Sequence, residues 1–234
     1  MNVSWITTAS LVLLCTGAMT ACSSDASKRG EDTKGIELED STTTFDPDAE
    51  TPPTLAEIGA EAPNFSLRDL AGEKHKLSNH DGQIVVLEWY NPNCPFVVYA
   101  HGEDGPLHDL AQRWIDQGVV WYAINSGAPG KQGTGTELNL EKQAEYGFQH
   151  PVLIDETGEV GRRYQAKKTP HMFVIDAQGT LVYAGGLDNA PFGKVPDGSD
   201  PHSFVEEVLD DLVAGREPRV RTSKPYGCSV KYAK

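Results

Sequence analysis

Four cysteines, Cys15, Cys22, Cys94 and Cys228, are the residues of this chain best suited to covalent chemistry. They are too sparse for a disulfide-dense scaffold, and no two of them form a Cys-x-x-Cys pair, so each is read by its own surroundings. Cys94 lies in Glu88-Trp89-Tyr90-Asn91-Pro92-Asn93-Cys94-Pro95-Phe96-Val97, just after a β-branched apolar run and just before an expected helix. Reacting groups collect at the C-terminal ends of strands in open α/β sheets. Pro95 suits the first helical position, where its missing N–H would have no partner anyway, and this puts Cys94 at the helix N-terminus. Free amides and the helix dipole favour an anion there. Such a setting brings a thiol from about 8.5 into the range of roughly 3.5–7.5, which makes it a nucleophilic thiolate at neutral pH. The alternative is a small buried hydrophobe, a common role for a free cysteine.

The elements that must hold this residue are legible by period. Residues 83–90 are nearly continuously apolar, as suits a central strand buried on both faces. Leu107, Leu110, Ala111, Trp114 and Ile115 recur at helical spacing before Gly118. Strands are expected at 119–125, 150–155, 171–176 and 181–184, with shorter helices at 140–146 and 160–164. A short strand and turn precede them at 62–72, and 177–180 has hairpin chemistry. A last helix spans 203–214, with Phe204, Val205, Val208, Leu209 and Leu212 on one face, Ser203 as its cap and Gly215 as its stop. The order βαβαβ, then a hairpin, then a helix predicts an α/β fold, parallel first and antiparallel at one side.

The chain has 234 residues, 38 % of them hydrophobic, and a formal net charge of −14. That supports one core and argues against nucleic acid as a partner. The glycine-rich loop 127–135 lacks P-loop spacing, and the seven histidines show no ligand spacing, so no cofactor and no metal is expected. The apolar run 6–21 is short for a membrane span and fits a signal-peptide core. Its end, Ala18-Met19-Thr20-Ala21-Cys22, resembles a bacterial lipobox, which implies lipidation at Cys22 and a membrane-anchored, extracytoplasmic protein of the cell envelope. Plain secretion is the alternative. The expected organisation is a leader at 1–22, an acidic disordered tether at 23–56, a folded domain at 57–215 and a tail at 216–234.

Lys168-Thr169-Pro170-His171-Met172-Phe173-Val174-Ile175-Asp176, taken with Cys94-Pro95-Phe96-Val97, resembles the thioredoxin-like superfamily. That resemblance spans residues 56–215; the opening Glu61-Ala62-Pro63-Asn64-Phe65-Ser66-Leu67 and the closing Pro225-Tyr226-Gly227-Cys228-Ser229-Val230-Lys231-Tyr232 are similar to the redoxin branch of the AhpC/TSA type. The resemblance implies a central mixed sheet flanked by helices and a cis-Pro170 loop facing Cys94. It implies a groove that includes Asn91, Pro95, Thr169, Pro170 and His171. It also makes Glu88 a candidate proton relay, with an edge-exposed carboxylate as the alternative. A thioredoxin carries Cys-x-x-Cys; Asn91-Pro92-Asn93-Cys94 has Asn91 at the first position, and the Thr and Arg of a peroxiredoxin site are not in place. The implied activity is a thiol-dependent oxidoreductase, acting by hydroperoxide reduction or by thiol–disulfide exchange, with the missing Cys-x-x-Cys tilting toward the former. Its partners would be a thiol reductant, envelope protein thiols or a peroxide. With Cys15 removed and Cys22 lipidated, Cys228 is the thiol available to resolve Cys94, from a tail able to fold over that face. A static bridge, an intermolecular bond and an uninvolved thiol remain alternatives, and a non-catalytic binding module with a structural Cys94–Cys228 disulfide is the rival function.

Overall fold

Three strands rich in β-branched and aromatic residues form the middle of the sheet: β3 (Val85–Trp89), β4 (Val120–Asn125) and β5 (Val152–Ile154). The computed structural model describes residues 54–196 and 198–234. The expected leader, Cys15, Cys22 and the tether as far as residue 53 lie outside the described residues. Strands β3, β4 and β5 run parallel, because a crossover segment separates each from the next. They are flanked by β1 (Ser66–Asp69), β2 (Lys74–Lys76), β7 (His171–Ile175) and β8 (Leu181–Gly185) in the order β2-β1-β5-β4-β3-β7-β8. The outer pairings are all antiparallel, so the sheet is mixed, as expected. A separate two-stranded ladder joins β6 (Lys168–Thr169) to β9 (Cys228–Ser229).

Helices cover both faces. On one, α2 (Leu110–Ile115) and α5 (Phe204–Val213) bury Leu110, Trp114, Val205, Val208 and Leu209 against Val86, Trp121, Met172 and Val174. On the other, Val160 of α4 (Glu159–Arg163) and the adjacent Tyr164 pack with Phe65, Leu87, Trp89 and Phe173. Two-sided burial explains why β3 reads as an unbroken apolar run: all five of its residues are buried. The connecting helices are α1 (Pro95–His101) and α3 (Thr136–Glu145). Ser203 caps α5, its hydroxyl accepting from the Glu206 N–H at 3.2 Å, and Gly215 follows the helix at φ +69°.

The structure departs from the sequence expectation in small ways. Helix α3 starts a turn earlier than position 140, and α2 starts at Leu110 rather than Leu107. Strand β2 was not expected, since Lys74-His75-Lys76 lacks apolar alternation. It forms because Asp69 Oδ1 accepts from the N–H groups of Ala71 and Glu73, at 2.9 Å each, and folds the chain back.

Candidate active site

Cys94 is placed by the end of β3. The ladder extends one residue past the strand, with the Tyr90 N–H donating to Ile124 O at 2.9 Å. The chain then turns through Asn91-Pro92-Asn93. The Asn91 carbonyl accepts from the Cys94 N–H at 3.0 Å, and its side-chain Oδ1 accepts from the Asn93 N–H at 2.9 Å. Asn91 Nδ2 donates to Gln132 O at 3.1 Å. A Cβ on Gly133 would meet Asn91 Oδ1 at 2.0 Å, so the glycine-rich loop packs directly on this side chain. Asn91 is thus a buried brace of the turn. Cys94 has extended backbone angles and forms the N-cap of α1, with Pro95 as its first residue.

This placement revises how the motif is framed. Cys94 heads the helix, so a partner thiol in the same turn would sit three residues later, at Val97, rather than three residues earlier, at Asn91. Val97 is fully buried and apolar. The second thiol comes from elsewhere in the chain. Thr169 and Pro170 are joined by a cis peptide bond. The Cys94 thiol donates to Thr169 O at 3.0 Å. On β9, Cys228 lies opposite Thr169 and packs against the apolar cluster that holds Cys94. Gly227 makes this approach feasible: it sits at φ +109°, and a Cβ there would fall 2.2 Å from Thr169 O.

The electrostatics divide the two sulfurs. Burial pushes the Cys94 thiol up. The Cys228 thiol, Thr169 and the backbone N–H groups of Val97 and Cys228 outweigh it, leaving Cys94 below the ordinary thiol value. In the neutral state its proton goes to Thr169 O and the sulfur makes no capping bond to the helix; those donors favour the ionised state. Cys228 moves the other way. Burial, the hydrogen bond to Cys94 and the charge of Cys94 push it up to about 11, against the pull of Lys231 and Lys168. Both cysteines are free thiols, Cys94 at 0 % exposure and Cys228 half-buried. Cys94 therefore lies beneath its own partner.

The tail that carries Cys228 is pinned along its length. Arg221 O accepts from the Ala184 N–H at 3.1 Å, and Ser223 Oγ accepts from the Gly186 N–H at 2.8 Å. Tyr226 donates to Asp188 Oδ1 at 2.7 Å, and Tyr232 donates to Ala166 O at 2.9 Å. Lys231 O accepts from the Ala128 N–H at 2.8 Å. These anchors had no counterpart in the sequence pattern, apart from the Gly227-Cys228 pair itself.

The remaining candidates are spread around this centre. Pro95 borders an open groove of about 600 Å³ that includes Pro92, Val98, Tyr99 and Phe192. His171 is buried on Phe173, with ring centroids 4.5 Å apart, and its Nδ1 accepts from the Lys167 N–H at 3.3 Å. Burial, helped by Lys167, pushes His171 down to about 4, so it is neutral at pH 7. Glu88 is buried rather than edge-exposed. It pairs with His101 Nε2 at 2.8 Å and accepts from Trp121 Nε1 at 3.4 Å. Burial alone would raise the Glu88 carboxyl; His101 above all lowers it below its usual value.

Comparison with known proteins agrees with this architecture. A family model described as the AhpC/TSA family matches residues 58–184. The chain is 32 % identical over 132 residues to the thiol-disulfide oxidoreductase ResA of Geobacillus thermodenitrificans, covering 56 % of this chain and 70 % of that protein. It is 29 % identical over 158 residues to ResA of Halalkalibacterium halodurans, covering 67 % and 78 %. Among solved structures, a hypothetical protein from Sinorhizobium meliloti is similar at TM-score 0.66 and 26 % identity, covering 76 % of this chain and 95 % of that one. An uncharacterized conserved protein from Geobacillus kaustophilus is similar at TM-score 0.66 and 27 % identity, covering 76 % and 94 %.

Proposed function

The chain belongs to the AhpC/TSA family of thioredoxin-like redox proteins, and from that premise we propose that it is a thiol–disulfide oxidoreductase whose redox pair is Cys94 and Cys228. One observation carries this reading: two free thiols meet at the cis-Pro170 loop, one favoured as thiolate and the other as its hydrogen-bond donor. The ResA relatives support exchange between thiols and disulfides as the chemistry.

In the reduced protein the Cys94 thiolate attacks one sulfur of a substrate disulfide. A Cys94–substrate bond forms, the substrate S–S bond breaks, and the first substrate sulfur leaves as a thiolate that takes a proton from solvent. Cys228 gives up its proton and attacks Cys94 Sγ. The Cys94–Cys228 bond forms and the second substrate thiol leaves. The protein dithiol is oxidised by two electrons, and the substrate disulfide is reduced to two thiols. Pro170 and Thr169 flank the reacting sulfur, and Asn91 and Pro95 fix the turn that presents it. Glu88 pairs with His101 at the far end of α1 and so braces the helix that Cys94 heads.

Peroxide reduction is the second reading, favoured by the apolar Val97 where a vicinal thiol would stand. There the Cys94 thiolate takes the distal peroxide oxygen to become a sulfenic acid, with loss of water or alcohol. Condensation with Cys228 then releases water and gives the same disulfide. One experiment separates the two: turnover of a model disulfide and of hydrogen peroxide with a dithiol donor, for the wild type, Cys94→Ser and Cys228→Ser. The expected result is disulfide turnover by the wild type, none by Cys94→Ser, and a stalled mixed disulfide in Cys228→Ser. Turnover of peroxide alone favours the second reading. Activity retained by Cys94→Ser contradicts both.

We place the activity outside the cytoplasm, on a lipid anchor at Cys22 ahead of an acidic tether at 23–56 and the folded domain. The apolar run 6–21 ending Ala21-Cys22 supports this. Acyl labelling of the wild type that is lost in Cys22→Ser checks it; equal labelling of both contradicts it.

A further inference from the structure

The charge of this chain is unevenly distributed. The whole carries −14, yet the tail from Arg216 onward holds Arg216, Arg219, Arg221, Lys224, Lys231 and Lys234 against one acid, Glu217. The first two arginines are committed: Arg216 and Arg219 both bind Asp211, at 2.7 and 3.0 Å. The lysines near Cys228 are not. Lys167, Lys168, Lys224 and Lys231 form no ion pair among the described residues.

Their placement follows from the β6–β9 ladder. Lys168 lies opposite Ser229, one position from the Thr169–Cys228 pair, and Lys231 follows two residues after Ser229. Both lie close enough to the Cys228 sulfur to stabilise negative charge on it. Lys167, beside Lys168, and Lys224, four residues before Cys228, are exposed. The carboxylates that face the tail here are buried and occupied. Asp188 accepts from Tyr226 and from the Ala190 N–H, and Asp155 accepts from Ser126 and from the Gly161 N–H. Both carboxylates are held by neutral donors and form no ion pair with the four lysines, which stand, among the described residues, as unpaired cations beside the redox pair of an otherwise acidic chain. A localised field of this kind selects partners mainly through their rate of encounter.

We propose that Lys168 and Lys231, with Lys167 and Lys224 around them, form a collar that selects disulfides flanked by carboxylates on an acidic polypeptide segment. This rests on the redox-pair reading above and names the substrate class for it. The chemistry is unchanged: the substrate disulfide is reduced to two thiols and the Cys94–Cys228 bond forms. The collar gives no bond to the reacting sulfurs; it brings the acidic flank to them.

The test uses two peptide disulfides that differ only in having Glu or Gln on both sides of the cysteine. The rate of oxidation of the reduced full-length protein is measured with each at low salt. The wild type should prefer the Glu peptide by about tenfold, a preference that shrinks as salt screens it. Lys168→Glu/Lys231→Glu should bring the ratio to one or below. Lys74→Glu/Lys76→Glu, on the far edge of the sheet, makes the same change in net charge and should keep the preference. Equal rates with the two peptides in the wild type, or equal loss in both variants, overturn the collar and leave the redox pair standing. Failure of either peptide to oxidise Cys94 in the wild type overturns the redox reading and the collar with it.

Discussion

Two cysteines of the same chemical type have opposite tendencies here, and the cause is local. Burial opposes charge on Cys94, but the Cys228 thiol and the amides of Val97 and Cys228 favour it. Burial above all, then the hydrogen bond to Cys94 and its negative charge, makes Cys228 hold its proton. A dithiol tuned this way has an attacking sulfur and a resolving sulfur assigned in advance, since the thiolate is the nucleophile. The location of Cys94 at a strand-to-helix turn was legible from Pro95 and the apolar run before Asn91. The same Pro95 already heads the helix with Cys94, so comparing Asn91 with the first cysteine of a Cys-x-x-Cys pair reads the motif from its wrong end. The helix begins at Pro95, which makes Val97 the vicinal position. A second cysteine there should substitute for the tail. Introducing Val97→Cys into the stalled Cys228→Ser protein should restore release of the mixed disulfide, measured as substrate thiol liberated over several turnovers. Continued stalling would show that the resolving thiol must approach from the Pro170 side.

The elements around the site carry ionisable groups that are stable only in one protonation state. Strand β3 buries Glu88, and the segment leading into β5 buries His150 beneath Trp121 and Phe148. Burial pushes His150 down to about 4, as it does His171 on β7. The unfolded chain protonates these rings near 6.5, so between about 6.5 and 4 it binds more protons than the folded one. Their contribution is full above pH 6.5 and is lost as the pH falls toward 4, on the order of 3 kcal/mol for each ring. Glu88 adds to the loss lower down, because its folded value lies below the unfolded one and its contribution disappears as it protonates. Urea unfolding should therefore show a marked fall in stability between pH 7 and pH 4.5, smaller in His150→Phe. A flat profile would contradict the burial of these rings as neutral groups. The apolar runs of β3 and β4 showed that they are buried. The runs could not show which polar residues pair inside, since Glu88 and His101 are 13 positions apart and meet only once α1 packs on the sheet.

At the scale of the molecule, the mixed sheet and the helices on both faces follow the apolar period closely. The tail is where sequence pattern was least informative. It has no helical repeat and reads as a loose extension able to fold over Cys94. It does fold there, but as a strap fixed by polar anchors such as Tyr226 on Asp188 and Tyr232 on Ala166 O, which leave no periodic trace. The result is a redox site whose nucleophile is covered by the segment that resolves it. Cys94 is fully buried, so access by a bulky substrate requires that segment to shift. Everything depends on Cys94 being the ionised member of the pair. The direct measurement is the rate of iodoacetamide modification of each cysteine in the reduced wild-type protein across a pH series, resolved by mass spectrometry of the two peptides. The account predicts a midpoint for Cys94 below about 8.5, the ordinary thiol value, and one for Cys228 well above it. Midpoints in the reverse order, or both at the ordinary value, would contradict it.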